Sequence, residues 1–361
     1  MDIVAHLSQS LKIAAPQVSA ALQLLEDGNT LPFIARYRKE VTGGLDEEQL
    51  RLLQEGWKSL KALQERRTTI VTSLQEQGVW DDSLARQVQA ARTLTELEDL
   101  YLPFRPKRKT RATVAREKGL QGLADLILAQ PVSKERRSLE QLAQPFVKDG
   151  LSLEEVLSGA CDIVAETVAE TAAVRQRLRE KAMRFGRLRS QRAKGGDPKS
   201  VFATYYQFSC MVGMLKPHQI LAVDRGEQEK VLSVAIDLEE RDWREVLTQH
   251  FRAHPQSPLA GLLGQALEDG AQRLLLPAIE RDVRRSLSEA AHAHAIENFA
   301  TNLRALLSGP PLNGHIVLGL DPGFRTGCKL AVVDATGKVL ATETVYLHRE
   351  AEMQTSLNRL V

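Results

Sequence analysis

Along most of the chain, apolar residues recur three and four positions apart, the spacing of one helix face. Two-residue alternation, the mark of a half-buried strand, is confined to short stretches. The helical stretches carry their own punctuation. Pro16 opens one that Gly28 closes, and Pro32 lies in the first turn of another that the Gly43-Gly44 pair ends. Proline suits a first turn because the amide it lacks would have no partner there, and glycine suits the exit because it accepts left-handed backbone. The second of these helices, PFIARYRKE, is expected to turn Phe33, Tyr37 and Val41 inward. A longer helix covers about Leu50 to Gly78, with Trp57, Leu60, Leu63, Ile70 and Leu74 on one side, so the N-terminal part reads as a small helical bundle.

Further on, Ser152 followed by Glu155 three positions later is a capping box, and it starts a helical tract that runs towards Gly186. Along the segment Arg175 to Arg192 and the residue before it, Val174, Leu178, Ala182 and Phe185 form an apolar stripe of a helix, with basic residues over the other faces. VLSVAIDL, between His218 and Glu240, has the look of a strand, but its neighbours offer it no partner. A helix of about 30 residues, roughly 45 Å long, then runs from Pro277 to Ser308, with Ile279, Val283 and Leu287 recurring every fourth position. Gly309, Pro310 and Pro311 stop it and form a linker.

The last 47 residues change character. His315 to Asp321 reads HIVLGLD, then come the loop PGFRTG and two more strand-like runs, CKLAVVD and KVLATETVY. An apolar strand ending in a carboxylate and followed by Pro-Gly is how ribonuclease H-type nucleases and actin-like ATPases begin. A complete domain of that kind needs roughly 100 or more residues, so only its first part is expected before Val361. The fold class is therefore mainly α. An N-terminal multi-helix region, whose helix order invites a helix-turn-helix reading, and a long central helix precede the first β-strands of an α/β domain of the ribonuclease H or actin-like ATPase kind. The expected divisions are 1–190, 191–311 with a short β segment and the long helix, and 312–361.

With 361 residues, 43% of them hydrophobic and 26% charged, the chain can bury a sizeable core. It has no run of the length a membrane span needs and no basic, apolar start of a signal peptide. Cys161, Cys210 and Cys328 are far apart and without metal spacing, which fits reduced thiols in a cytoplasm. No metal and no cofactor is expected, and the oligomeric state is not set by these features.

The net charge of +2 hides an uneven distribution. Residues 151–173 hold Glu154, Glu155, Asp162, Glu166 and Glu170 with no Lys or Arg, whereas 175–199 contain ten Lys or Arg against two acids. A second basic stretch, Arg105, Lys107, Arg108, Lys109 and Arg111, is kept extended by Pro103 and Pro106 and flanked by Tyr101 and Phe104. That composition suits backbone phosphates, with rings available for bases. The alternative is a loop that is merely solvated or pairs with the acidic helix after Ser152. Arg177, Lys181, Arg184 and Arg187 lie on the cationic faces of the later tract, and Lys194 and Lys199 on the loop AKGGDPK can reach phosphates from there. In the N-terminal bundle, PQVSAALQLLED offers a duplex no cation, so Arg36, Arg38 and Lys39 on the next helix are the candidates.

Other chemistries find little support. His250 and His254 stand four apart without the Glu of a metalloprotease helix, His292 and His294 are two apart, and neither GxSxG nor GxxxxGK occurs. Asp321 leaves two chemistries open, beside the plain reading that it merely caps the turn. It can be the first carboxylate of a two-metal phosphodiester site, or the Asp beside a phosphate hairpin. Phe324 and Arg325, where an ATPase would place small hydroxyl residues, favour the former.

The strings GNTLPFIARYRKEVTGGLDEEQL, LEDLYLPFRPKRKTRATVAREKGL, LKPHQILAVDRGE and LGLDPGFRTGCKLAVVD, in this order, closely resemble the bacterial Tex transcription accessory proteins along essentially the whole chain. The resemblance implies a helical region with a helix-turn-helix-like part, a long central helix and a YqgF domain of ribonuclease H-like fold. Helix-hairpin-helix modules and an OB-fold RNA-binding domain would follow. The sequence departs from the pattern by stopping inside the YqgF domain. The family is similar to a eukaryotic elongation factor that works with RNA polymerase and chromatin. The resemblance also implies that the carboxylate set of the nuclease relatives is incomplete, which would make Asp321 vestigial. The expectation is a cytoplasmic, non-catalytic scaffold that binds RNA or DNA and works with the transcription machinery. A structure-selective nuclease of the resolvase type and an actin-like ATPase are the alternatives.

Overall fold

The computed structural model describes residues 2–132, 138–148, 150–194, 196–310, 312–323 and 327–346. The chain divides into two compact units, Met1–Ala291 and His292–Val361. Helix is the main element throughout, as the spacing of apolar residues requires.

At the N-terminus, α1 (Ile3–Leu11), α2 (Ala15–Glu26) and α3 (Leu31–Tyr37) pack around the first half of α4 (Glu47–Glu76). They bury Leu7, Val18, Leu22, Ile34, Leu50 and Leu53 together. α4 begins at a capping box in which Asp46 and Gln49 each accept the other's backbone amide. α3 is shorter than the glycine pair implies. It stops at Tyr37, and the hydroxyl of buried Thr42 donates to the carbonyls of Arg38 and Lys39, folding the chain into a turn before Gly44. The inward position of this short helix is filled by Ile34, so Tyr37 and Val41 point outward, 68% and 55% exposed, against the expectation.

The second half of α4 supports α5 (Asp82–Ala90) and α6 (Leu94–Tyr101) over Leu63, Ile70, Leu74, Val88 and Leu97. Here Arg67 is buried because its guanidinium donates to the carbonyls of Val88 and Ala91, which end α5 without a helical partner.

The largest core lies further along the chain. α7 (Arg111–Glu117), α8 (Gln121–Ala129), α9 (Leu139–Ala143) and, later, α14 (Ala260–Asp269) surround α10 (Leu153–Glu170). The Ser152–Glu155 capping box starts α10 as expected. The tract does not run unbroken to Gly186, however. Thr171 leaves helical geometry at ψ 110°, and α11 (Ala172–Phe185) begins anew. Val174, Leu178 and Ala182 are buried, each large apolar side chain contributing about 1.5–3 kcal/mol. Phe185 is exposed rather than continuing their stripe.

The Gly186 amide makes the last helical bond of α11, to the Ala182 carbonyl at 2.9 Å, and its ψ of 152° then turns the chain out as a strand. The residues Arg187–Arg192, expected to extend the helix, form β1. With β2 (Gln207–Met211) and β3 (Leu232–Asp237), β1 makes an antiparallel sheet in the order β2-β1-β3. That supplies the partner missing for VLSVAIDL. Alternation along β1 sends Leu188 and Ser190 to the core and Arg187, Arg189 and Gln191 to water. α12 (Pro217–Gln228) packs on β3, and α13 (Glu240–His250) packs on α11.

A π-helical stretch, Gly270–Leu275, joins α14 to α15 (Leu276–Leu307). Glycine is needed at its start, since a Cβ at position 270 would stand 2.9 Å from the Ala165 carbonyl oxygen. Ile279, Val283 and Leu287 of α15 are buried as the four-residue spacing required. Glu280 covers the outer edge of β3 by accepting the Ile236 amide at 3.0 Å.

In the second unit, β4 (Val317–Asp321), β5 (Cys328–Val333) and β6 (Val339–Val345) form an antiparallel meander in chain order. Asp321 pairs across from Lys329. Asp334 holds the β5–β6 turn by accepting from Thr336 and Lys338. Phe324 and Arg325 lie outside the described residues. Among the described residues, no helix is long and apolar enough to cross a membrane.

Candidate nucleic-acid interface

The stretch from Arg105 to Arg111 links a 3-10 turn, residues 102–104, to α7, and its cations divide by role. Lys107 turns inward. Its ammonium lies 2.7 Å from Glu170 and 3.2 Å from Glu166, and Arg116 of α7 donates to Glu166 at 2.6 Å. The Thr110 hydroxyl donates to the same carboxylate at 3.0 Å. Burial would push the Glu166 carboxyl up, but these donors together hold it below the usual glutamate range. Glu170 goes the other way, burial pushing it up against the pull of Lys107. Pairing with the acidic helix is thus realised for one residue of the loop. Its neighbours Arg105, Arg108 and Lys109 remain exposed, Lys109 3.9 Å from an exposed Glu117.

Arg111 is exposed at the start of α7 and lines a cleft with Cys161, Asp162 and Asp269. Burial together with these two carboxylates pushes the Cys161 thiol up to about 11. The carboxylates are themselves held by Arg273 at the π turn, so this cleft carries both signs of charge.

On α11 the basic residues again separate. Arg175, buried, and Arg179, half-buried, pair with Asp99 of α6 and Asp282 of α15, with Arg175 2.7 Å from Asp99 and 3.0 Å from Asp282. Two guanidiniums and two carboxylates thus tie three helices together in the interior. Lys181 pairs with Asp242 and Glu245 of α13. Arg177 is exposed near Gln249, and Arg184 is exposed with its guanidinium 5.0 Å over the Phe185 ring. Arg187, exposed on β1, donates weakly to Ser209 at 3.4 Å.

In the N-terminal bundle, Arg36, Arg38 and Lys39 are exposed at the end of α3. Arg38 lies 5.5 Å over half-buried Phe33, which in turn meets exposed Tyr37 at 5.4 Å, so these cations stand beside an aromatic pair.

The structure therefore spreads the candidate cations over three places: the end of α3, the loop before α7, and the junction of α11 with β1. Arg189 and Arg192, on the same strand as Arg187, join the third place without having been expected there. The signal for Arg189 is the alternation in RLRSQR, where 187, 189 and 191 are outward; Arg192 falls on the other parity and is exposed because it ends the strand.

In the second unit, Asp321 is exposed at the end of β4 and shares a cleft of about 810 Å³ with Lys329 and Glu343. Among the described residues, no group of three or more His, Cys, Asp or Glu side chains is placed to hold a metal ion.

A mainly helical chain with cationic surface segments and a short antiparallel meander at its end is the class these features define. Residues 1–75 match the Tex-like protein N-terminal domain, 134–299 the Tex central region-like segment and 315–361 the Tex protein YqgF-like domain. The chain is 38% identical over 371 aligned residues to the transcriptional accessory protein Tex of Neisseria gonorrhoeae, covering 100% of this chain and 48% of that protein. It is 40% identical over 360 residues to protein tex of Bordetella pertussis, covering 95% of this chain and 45% of that protein. It is also 32% identical over 370 residues to S1 RNA-binding domain-containing protein 1 of Homo sapiens, covering 97% and 37%. The chain belongs to the Tex family. It spans about half the length, or less, of these curated relatives.

Proposed function

We propose that this chain acts as a nucleic-acid-binding scaffold in transcription, cytoplasmic and without catalysis of its own, binding RNA or DNA alongside the transcription machinery. The observation that carries this reading is the loop before α7. Lys107 spends its charge on Glu166 and Glu170 and so anchors the loop, while Arg105, Arg108 and Lys109 stay exposed and able to meet phosphates. Arg111, Arg177, Arg184, Arg187 and the group Arg36, Arg38 and Lys39 add exposed positive charge elsewhere on the same unit. Lys181, held by Asp242 and Glu245, acts as a positioning residue. The relatives named for transcription and for an S1 RNA-binding domain support the same reading.

Cations that neutralise phosphates release counterions, so binding is weak at physiological salt and steeply salt-dependent. Replacing Arg105, Arg108 and Lys109 with Gln is expected to flatten the slope of log affinity against log salt by roughly 0.7–0.9 for each phosphate no longer neutralised. An unchanged slope would remove the loop from the interface. Incubation of branched DNA, single-stranded DNA and RNA with Mg²⁺ or Mn²⁺ should leave each intact. Cleavage that disappears in Asp321→Asn would replace the scaffold with a nuclease of the resolvase type.

A further inference from the structure

The outward face of the β2-β1-β3 sheet is a second surface with the chemistry of a polyanion site. Register places Arg187, Arg189 and Gln191 of β1 opposite Met211, Ser209 and Gln207 of β2, and opposite Asp237, Ala235 and Ser233 of β3. The opposite face is closed by Leu188, Leu232 and Ile236 in the core, so the outward groups stand on a rigid floor. A shallow depression of about 780 Å³ runs over this face, lined in part by Arg187, Arg189, Arg192 and Gln207.

Charge continues off both ends of β1. From Arg184 to Lys199 the exposed cations are Arg184, Arg187, Arg189, Arg192, Lys194 and Lys199. Two acids lie among or across from them, and neither closes the surface. Asp197 is engaged in its own loop, accepting the Val201 and Phe202 amides and the Tyr206 hydroxyl. Asp237 pairs with Arg189 at 3.1 Å, but both side chains are more than half exposed, and such a pair contributes little in water and gives way to a phosphate at small cost.

We infer that this sheet face is a platform for a single strand of nucleic acid, an inference that rests on the nucleic-acid-binding reading above and assigns it a place and a form of ligand. Arg187 and Arg189 on the face, with Arg192 at the end of β1 beside the same depression, take the phosphates, and the hydroxyls and amides of Ser209, Ser233, Gln191 and Gln207 face the bases. Arg192 lies over the Tyr206 ring, 4.9 Å from its centre, so its outer face is a stacking surface for a base. A duplex fits this shape poorly. A major groove of about 12 Å admits one helix or a two-stranded ribbon. Three strands about 4.8 Å apart, with side chains at their margins, are broader than that and are backed by the core. An unpaired strand can lie across the sheet with its base edges free to meet the amides.

The test uses the 361-residue chain and fluorescein-labelled oligonucleotides of about 12 nucleotides, within the span that sheet-type sites cover. Single-stranded RNA, single-stranded DNA and a duplex of the same sequence are compared by anisotropy across a salt series. The expected result is tighter binding of the single strands. Substituting Arg187→Gln, Arg189→Gln and Arg192→Gln together should lower the salt slope by about 0.7 per cation on a phosphate, about 2 for all three. The corresponding Arg→Lys triple should keep the slope. If the neutral triple fails to fold by circular dichroism, Arg187→Gln alone is read, with an expected change of about 0.7. No binding by the wild-type chain would overturn the nucleic-acid reading and this inference with it. Binding with an unchanged slope in the Gln variants, or tighter binding of the duplex, would overturn this inference alone.

Discussion

Among the described residues, two three-stranded antiparallel sheets meet water differently. In β2-β1-β3, Leu188, Leu232 and Ile236 are buried on one face, and Arg187, Arg189 and Gln191 stand on the other. In β4-β5-β6, Leu330 and Val345 are buried, but Leu318, Leu320, Val339 and Leu340 are each more than half exposed. Both pair antiparallel, but burial alternates along β1 and does not along β4 or β6. The first sheet has its cover at hand, because α12 packs directly on β3 and Glu280 of α15 caps its edge. Alternation tells which side of a strand can bear polar residues, and only a packed neighbour makes the other side a core.

The largest expected contrast between the two sheets is in hydrogen exchange. Opening free energies range from about zero for poorly covered segments to the global stability for core ones. The amides of β4, β5 and β6 should therefore exchange much faster than those of β1 and β3, and faster than those of α15 up to Ala291. Equal protection in both sheets would mean that something covers the second, a further copy of the chain being one way to do it.

Next in size is the interior of the first unit. Asp99 holds Arg175 and Arg179 against α15, and removing one partner of a buried charge set costs about 3–5 kcal/mol. Asp99→Ala should lower the urea midpoint accordingly while leaving the exchange rates of β4 to β6 unchanged. A loss of less than about 1 kcal/mol would mean that the tetrad is a wet surface network rather than an interior tie.

Glu166→Gln should cost about 2–3 kcal/mol at neutral pH, since it weakens the hold on Lys107 and Arg116. Its effect also has a pH signature. Because the folded Glu166 carboxyl is held below its ordinary value of about 4.3, its contribution is complete above that value and is lost as pH falls through the lower, folded one. Glu170, raised by burial, acts in the opposite sense and gains stability as it protonates. The variant should therefore lose less stability than the wild type on acidification below about pH 4. Parallel acid limbs in denaturant titrations of the two proteins would rule out Glu166 as a source of acid sensitivity.

The smallest effect concerns Ser190, on the core side of β1, whose hydroxyl is buried without a hydrogen-bond partner among the described residues. Ser190→Ala should stabilise the first unit by about 1 kcal/mol, because it removes a desolvated donor that gains nothing in return. A destabilised variant in thermal melts would show that this hydroxyl is satisfied in solution.

The helix starts were legible because a cap is written within four residues. Ser152 with Glu155 marks α10, and the prolines at positions 16 and 32 mark α2 and α3. The three strands at the end of the chain were legible for the same reason, as each short apolar run is bounded by Gly, Pro or Asp. The end of α3 was not, because the turn at Thr42 is held by its side-chain hydroxyl rather than by the glycines alone. Nor was β1, since RLRSQR has only one large apolar residue and directly follows a helix rich in the same basic side chains.

What the sequence determined by itself is the local layer: the mainly helical class, the capped starts, the terminal meander, the basic and acidic segments, and the family to which four strings point. What tertiary structure decided is which charges remain available. Lys107 lies 63 residues from Glu170, Arg175 lies 76 from Asp99 and 107 from Asp282, and β1 finds β3 some 45 residues further on. A charge run in a sequence looks uniform. Folding brings distant carboxylates to some of its members and leaves others in water, because desolvating a cation is tolerated only where a partner is already held in place.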